Sequence, residues 1–181
     1  MPSRPLALIL LALMLAAPAL SAARAQEPLH GKSVVVTWTE ERMQRREGES
    51  TYRPAVRQGT FSAYVSTAGR IFSRVSITNS RRGASGKRDV VGETPRRHVS
   101  LSGRTMSTVQ QAVSGGARRI VIKFDEGFSS CTAEVIRGKE QGADKIVGES
   151  LIRPGTRVEI ASVKTSGVSC AVKDGNVFGQ E

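Results

Sequence analysis

"GTFSAYVSTAGRIFSRVSIT", residues 59–78, is the stretch on which the fold turns. Phe61, Ala63 and Val65 fall on one side of an extended chain, with Thr60, Ser62, Tyr64 and Ser66 on the other. After the small polar run at 66–70 the alternation resumes, and Ile71, Ser73, Val75 and Ile77 share a face. A period of two belongs to strands, whose successive side chains point to opposite faces. Glycine and short polar residues between two such runs turn the chain back on itself. The stretch therefore predicts an antiparallel hairpin with one dry face and one wet face.

The same period extends in both directions. "KSVVVTWTEERMQRR" opens at Lys32 as a long first strand around Val34 to Trp38 that trails into a charged end. "RRIVIKFD" places Ile120, Ile122 and Phe124 on one face, and "RVEIASV" does so with Val158 and Ile160. Further turns are expected at 114–117, 125–127 and 165–167. Residues 105–114 are less clear: Met106, Val109 and Val113 stand at helical spacing, while Val109, Gln111 and Val113 alternate. Their Thr, Ser and Val content favours a strand. A short strand is expected within Lys145–Ile152. With no internal repeat or linker, these segments predict one all-β domain over residues 26–181, an antiparallel sandwich or barrel of about eight strands.

The first 25 residues read as an export signal. Arg4 precedes the apolar run Leu6–Leu20, and Ala23-Arg24-Ala25 presents small residues for cleavage before Gln26. A membrane span needs about 20 apolar residues, and this run is shorter, breaks at Pro18 and contains no cysteine for a lipid anchor. The expected location is the periplasm or the exterior. The two cysteines, Cys131 and Cys170, lack the C-x-x-C spacing of a redox pair, so an oxidising compartment makes one structural disulfide the expectation. Alternation turns Cys131 to the side of Ala133 and Val135, and Cys170 to the side of Val168 and Val172.

Catalytic patterns are thin. The only histidines are His30 and His98, and "GASGK" at 83–87 meets neither the nucleophile-elbow nor the P-loop pattern. Glu40-Glu41 and Asp125-Glu126 are neighbours, so on strands each pair splits across the two faces. A hydrolase would need acids from distant strands. No metal-ligand set and no cofactor motif stands out.

Binding has more support. The chain carries a net charge of +11, which biases it toward anionic partners. Arg81, Arg82, Lys87, Arg88, Arg96 and Arg97 crowd a Gly- and Ser-rich loop, and Arg42, Arg45, Arg46, Arg53 and Arg57 form a second group beside Tyr52. Arginine grips phosphate and carboxylate with a planar fork. Behind an export signal this points to anionic lipid, acidic glycan or acidic protein. Nucleic acid is disfavoured, because stacking aromatics are missing from the loop. The competing expectation for the loop is plain solvation. A third reading is a small apolar-ligand carrier, with Val34, Val36, Trp38, Phe61, Phe72, Phe124 and Phe128 lining a barrel.

Overall fold

The structure is a computed structural model, and it describes residues 27–79, 91–95, 97–111, 117–137, 146–149 and 157–179. The strands are β1 (Lys32–Arg46), β2 (Arg53–Val65), β3 (Ile71–Asn79), β4 (Val99–Ser102), β5 (Thr105–Gln111), β6 (Ala117–Phe124), β7 (Cys131–Arg137), β8 (Ile146–Glu149) and β9 (Arg157–Asp174). They form two antiparallel sheets, ordered β3-β2-β1-β9-β8 and β4-β5-β6-β7. The architecture is a sandwich; the sheets do not close into a barrel.

The hairpin read from residues 59–78 is β2–β3, paired from Val65↔Ile71 to Arg57↔Asn79. Its turn is tied by Ser66, whose N–H donates to the Arg70 carbonyl at 2.8 Å and whose hydroxyl accepts from the Arg70 N–H at 3.0 Å. Residues 105–111 are strand, as their β-branched content favours, and β8 lies inside the short strand expected at 145–152.

The inner faces of the two sheets meet in one apolar cluster. Val34, Val36, Trp38, Phe61, Ala63 and Val65 from one sheet pack on Leu101, Met106, Ile120, Ile122 and Phe124 from the other. Each such large side chain, once removed from water, contributes roughly 1.5–3 kcal/mol. The Cys131–Cys170 disulfide adds a covalent clamp, joining β7 of one sheet to β9 of the other with the Cα atoms 5.5 Å apart.

Three expectations are corrected. The segment 165–167 is no turn: β9 runs through it, and Gly167 and Val168 together oppose Trp38 in a bulge. Gly167 has φ +59°, a conformation open to glycine at no steric cost. Val168, inside the bulge, is exposed, while Cys170 and Val172 beyond it pack on the core. Phe72 is likewise no lining residue, since it lies beside Tyr64 on the outer face, the rings 6.3 Å apart.

Candidate functional site

Beyond the apolar cluster the strands keep their phase, but the residues change. On β1 the inward series Val34, Val36, Trp38 continues as Glu40 and Arg42. On β2 the series Ala63, Phe61 continues as Gly59 and Arg57, and on β6 Ile122 and Ile120 lead to Arg118. Register sets Trp38 opposite Gly59 and Glu40 opposite Arg57. Three arginines and one glutamate are thereby driven into the interior: Glu40 is 0% exposed, Arg42 and Arg118 2%, and Arg57 3%.

Glu40 is the hub. Its Oε1 accepts from Trp38 Nε1 at 3.0 Å and from Arg118 Nη2. Its Oε2 accepts from Arg42 Nε at 3.1 Å and Nη2 at 2.5 Å. Arg118 also lays its guanidinium over the Trp38 indole, 5.2 Å from the ring centroid. The indole has room because its cross-strand neighbour is Gly59, where a Cβ would stand 2.0 Å from Trp38 Cε2. Arg57 Nη2 reaches Gln44 Oε1 at 3.5 Å.

Electrostatics set these arginines apart from surface ones. Burial, and next the Arg42 charge, push the Arg57 guanidinium down to about 10. Burial likewise lowers Arg118, against the pull of Glu40. Among the described residues, Arg42 Nη1, Arg118 Nε and Thr108 Oγ1 are buried without a hydrogen-bond partner.

The second basic group is thus divided by the fold. Arg42 and Arg57 are interior. Arg45 lies under Tyr52, 4.8 Å from the ring centroid, and its Nε donates to Glu159 Oε2 at 2.8 Å, which raises its pKa. Arg46 and Arg53 are exposed at the far end of the β1–β2 pair. Of the first group, Arg81, Arg82, Lys87, Arg88 and Arg96 lie outside the described residues. Arg97 is exposed, and its Nε donates to His98 Nε2 at 3.2 Å. His98 borders an open groove of about 440 Å³ with Ser73, Glu93, Thr94 and Pro95. Ser73 and Thr94 share a hydroxyl hydrogen bond of 2.9 Å there.

Glu40 and Glu41 point to opposite faces, and arginines clamp Glu40 while Glu41 is exposed. Asp125 is held by Ser129 and Ser130 at the β6–β7 turn. Among the described residues no group of three or more metal-ligating side chains assembles, and no helix is long and apolar enough to cross a membrane. No family model, curated protein or solved structure matches the chain.

The expected surface patch included Arg42 and Arg57, Glu40 entered only as half of a carboxylate pair split across the two faces, and Arg118 was not singled out. The signal was present: all four are in phase with the apolar series of their strands.

Proposed function

We propose that this chain is an exported, non-catalytic binding domain that associates with an anionic surface or polymer of the cell envelope, in the periplasm or outside the cell. The observation that carries this reading is the unneutralised surface. Arg46, Arg53, Arg104, Arg119, Lys123 and Lys164 are exposed, with no carboxylate at salt-bridge distance among the described residues. The exposed and half-buried ion pairs there use Arg45 with Glu159, and Arg157 with Glu47. Arg119 and Lys123 lie in phase on the outer face of the four-stranded sheet. Such a field attracts anions over about 8 Å at physiological salt and prefers partners of high charge density. The disulfide fits an oxidising compartment, and the leader supplies the export.

The test is titration of the purified protein with lipopolysaccharide, anionic lipid vesicles, an acidic glycan and DNA, at low and physiological salt. Two variants run beside it: Arg46, Arg53, Arg119 and Lys123 to Ser, and Arg81, Arg82, Lys87 and Arg88 to Ser. Selective binding to one anion that survives physiological salt and weakens in either variant is the expected result. Equal, weak binding to all four that salt abolishes would leave the charge as a solubility device and end the reading.

A further inference from the structure

We propose that the open groove beside His98 and the outer face of the four-stranded sheet, joined at Val109, form one site for an acidic glycan. A sugar ring seats in the groove, and acidic groups further along the glycan meet Arg119 and Lys123. Such a site rests on the surface reading and specifies its polymer.

The groove holds about 440 Å³, within the range of roughly 300–1,000 Å³ in which small-molecule sites lie. Its wall is fixed by backbone contacts. Glu93 bridges Phe72 on β3, the Thr94 N–H donates to the Ile71 carbonyl at 2.7 Å, and the His98 N–H donates to that of Pro95 at 2.9 Å. The His98 carbonyl in turn accepts from the Val109 N–H at 3.0 Å. A wall held in advance spares a ligand the entropy of ordering it.

The polar groups of that wall select the ligand. Ser73 and Thr94 share one hydrogen bond, so one hydroxyl hydrogen of the pair is left to donate. His98 accepts on Nε2 from Arg97, which puts the proton of the neutral ring on Nδ1, a second donor. Glu93 is exposed, and its carboxylate only accepts. Pro95 and Val109 add exposed apolar surface, Val109 being 48% exposed. A pyranose ring matches this set: its rim of hydroxyls both donates and accepts, and its C–H face is apolar. A phosphate polymer brings no hydroxyl for Glu93. An acyl chain would leave every polar group of the wall unmet.

The groove opens onto cations. Val109 is the cross-strand neighbour of Arg119, and side chains so paired stand about 5 Å apart at Cβ. Arg119 and Lys123 share the outer face of β6, about 13 Å apart along the strand. Val121 lies between them, with the exposed Glu134 opposite it as a further acceptor for hydroxyls. Only a chain of several units reaches from the groove to Lys123.

The experiment is isothermal titration calorimetry of the purified protein at physiological salt. The probes are oligogalacturonates and dextran sulfates of graded length, polyphosphate as a polyanion without hydroxyls, and anionic phospholipid vesicles. The expected result is that one of the two sugar polymers binds at least about tenfold tighter than polyphosphate, with affinity rising with length. Glu93→Ala and His98→Ala, both at exposed positions, should each cut that preference several-fold. Arg119→Ser/Lys123→Ser should abolish the rise with length and leave the shortest oligomers unaffected. Arg46→Ser/Arg53→Ser, at the far end of the β1–β2 pair, should change neither the preference nor the rise. Polyphosphate bound as tightly as both sugar polymers would overturn the site. So would sugar binding that Glu93→Ala and His98→Ala both leave at the wild-type level. Vesicles bound more tightly than either sugar polymer, and equally by the groove variants, would overturn the glycan site and leave the surface reading standing. Loss of all binding at physiological salt would end both.

Discussion

Glu40 ties the polar end of the interior together, because it is the acceptor for Trp38, Arg42 and Arg118. Glu40→Gln removes the negative charge and leaves those guanidiniums buried without compensation. The expected loss is about 3–5 kcal/mol, read as a lower urea midpoint in chloride buffer. Arg57→Met removes a cation that burial already disfavours, so its expected effect stays within about 1 kcal/mol in either direction. A large loss from Arg57→Met together with a small one from Glu40→Gln would reverse this account of the cluster. At this scale the sequence was legible in principle: position 40 follows Val34, Val36 and Trp38 by steps of two. It went unread because glutamate and arginine are rarely fully buried unless paired, and their partner on β6 is far away in the chain.

Pairs and turns decide how each strand sits. Trp38 and Gly59 are cross-strand neighbours, and the indole occupies the space a side chain at 59 would need. Gly59→Ala should cost about 3 kcal/mol or more through overpacking. Trp38→Leu in the same chain should return part of that loss, and additive losses in thermal melts would refute the contact. At the β6–β7 turn, the Ser129 hydroxyl, then the Ser130 and Ser129 backbone N–H groups, hold Asp125 down to about 2 from 3.8. Such a depressed carboxyl stabilises the fold in full above about pH 4 and loses that contribution as the pH falls toward 2. Asp125→Asn should therefore lower the Tm at pH 7, and the gap to the wild type should shrink through pH 2 and close below it. A Tm gap independent of pH would assign the effect to shape instead of charge. The turn at 125–127 and the β2–β3 hairpin were visible in the sequence because their interactions are local. The bulge at Gly167 was not: a Thr-Ser-Gly run serves a turn and a bulge equally well.

At the scale of the whole molecule, the two sheets of the described residues are held by a shared apolar core and one covalent link. The disulfide spans a sequence separation of 39, and closing such a loop in the unfolded chain is worth on the order of 4 kcal/mol in the chain-entropy model. Reduction should lower the unfolding free energy by about that much while far-ultraviolet circular dichroism keeps its β signature. A change under about 1 kcal/mol would mean that the core alone sets the stability. The apolar-carrier reading depended on a closed barrel. In the sandwich, Val34, Val36, Trp38, Phe61, Phe124 and Phe128 instead belong to the single packed core.

The all-β class, the inward and outward faces of most strands and the pairing of the two cysteines were legible before any contact was known. Each depends on strand periodicity, on composition or on there being one possible partner. That the sheets stack as a sandwich, and that Arg118 of one sheet meets Glu40 and Trp38 of the other, emerged from the folded chain. Alternation states which face a residue takes, whereas charge and packing depend on what stands opposite. That neighbour is set by register and sheet order, through contacts between residues as far apart as Glu40 and Arg118.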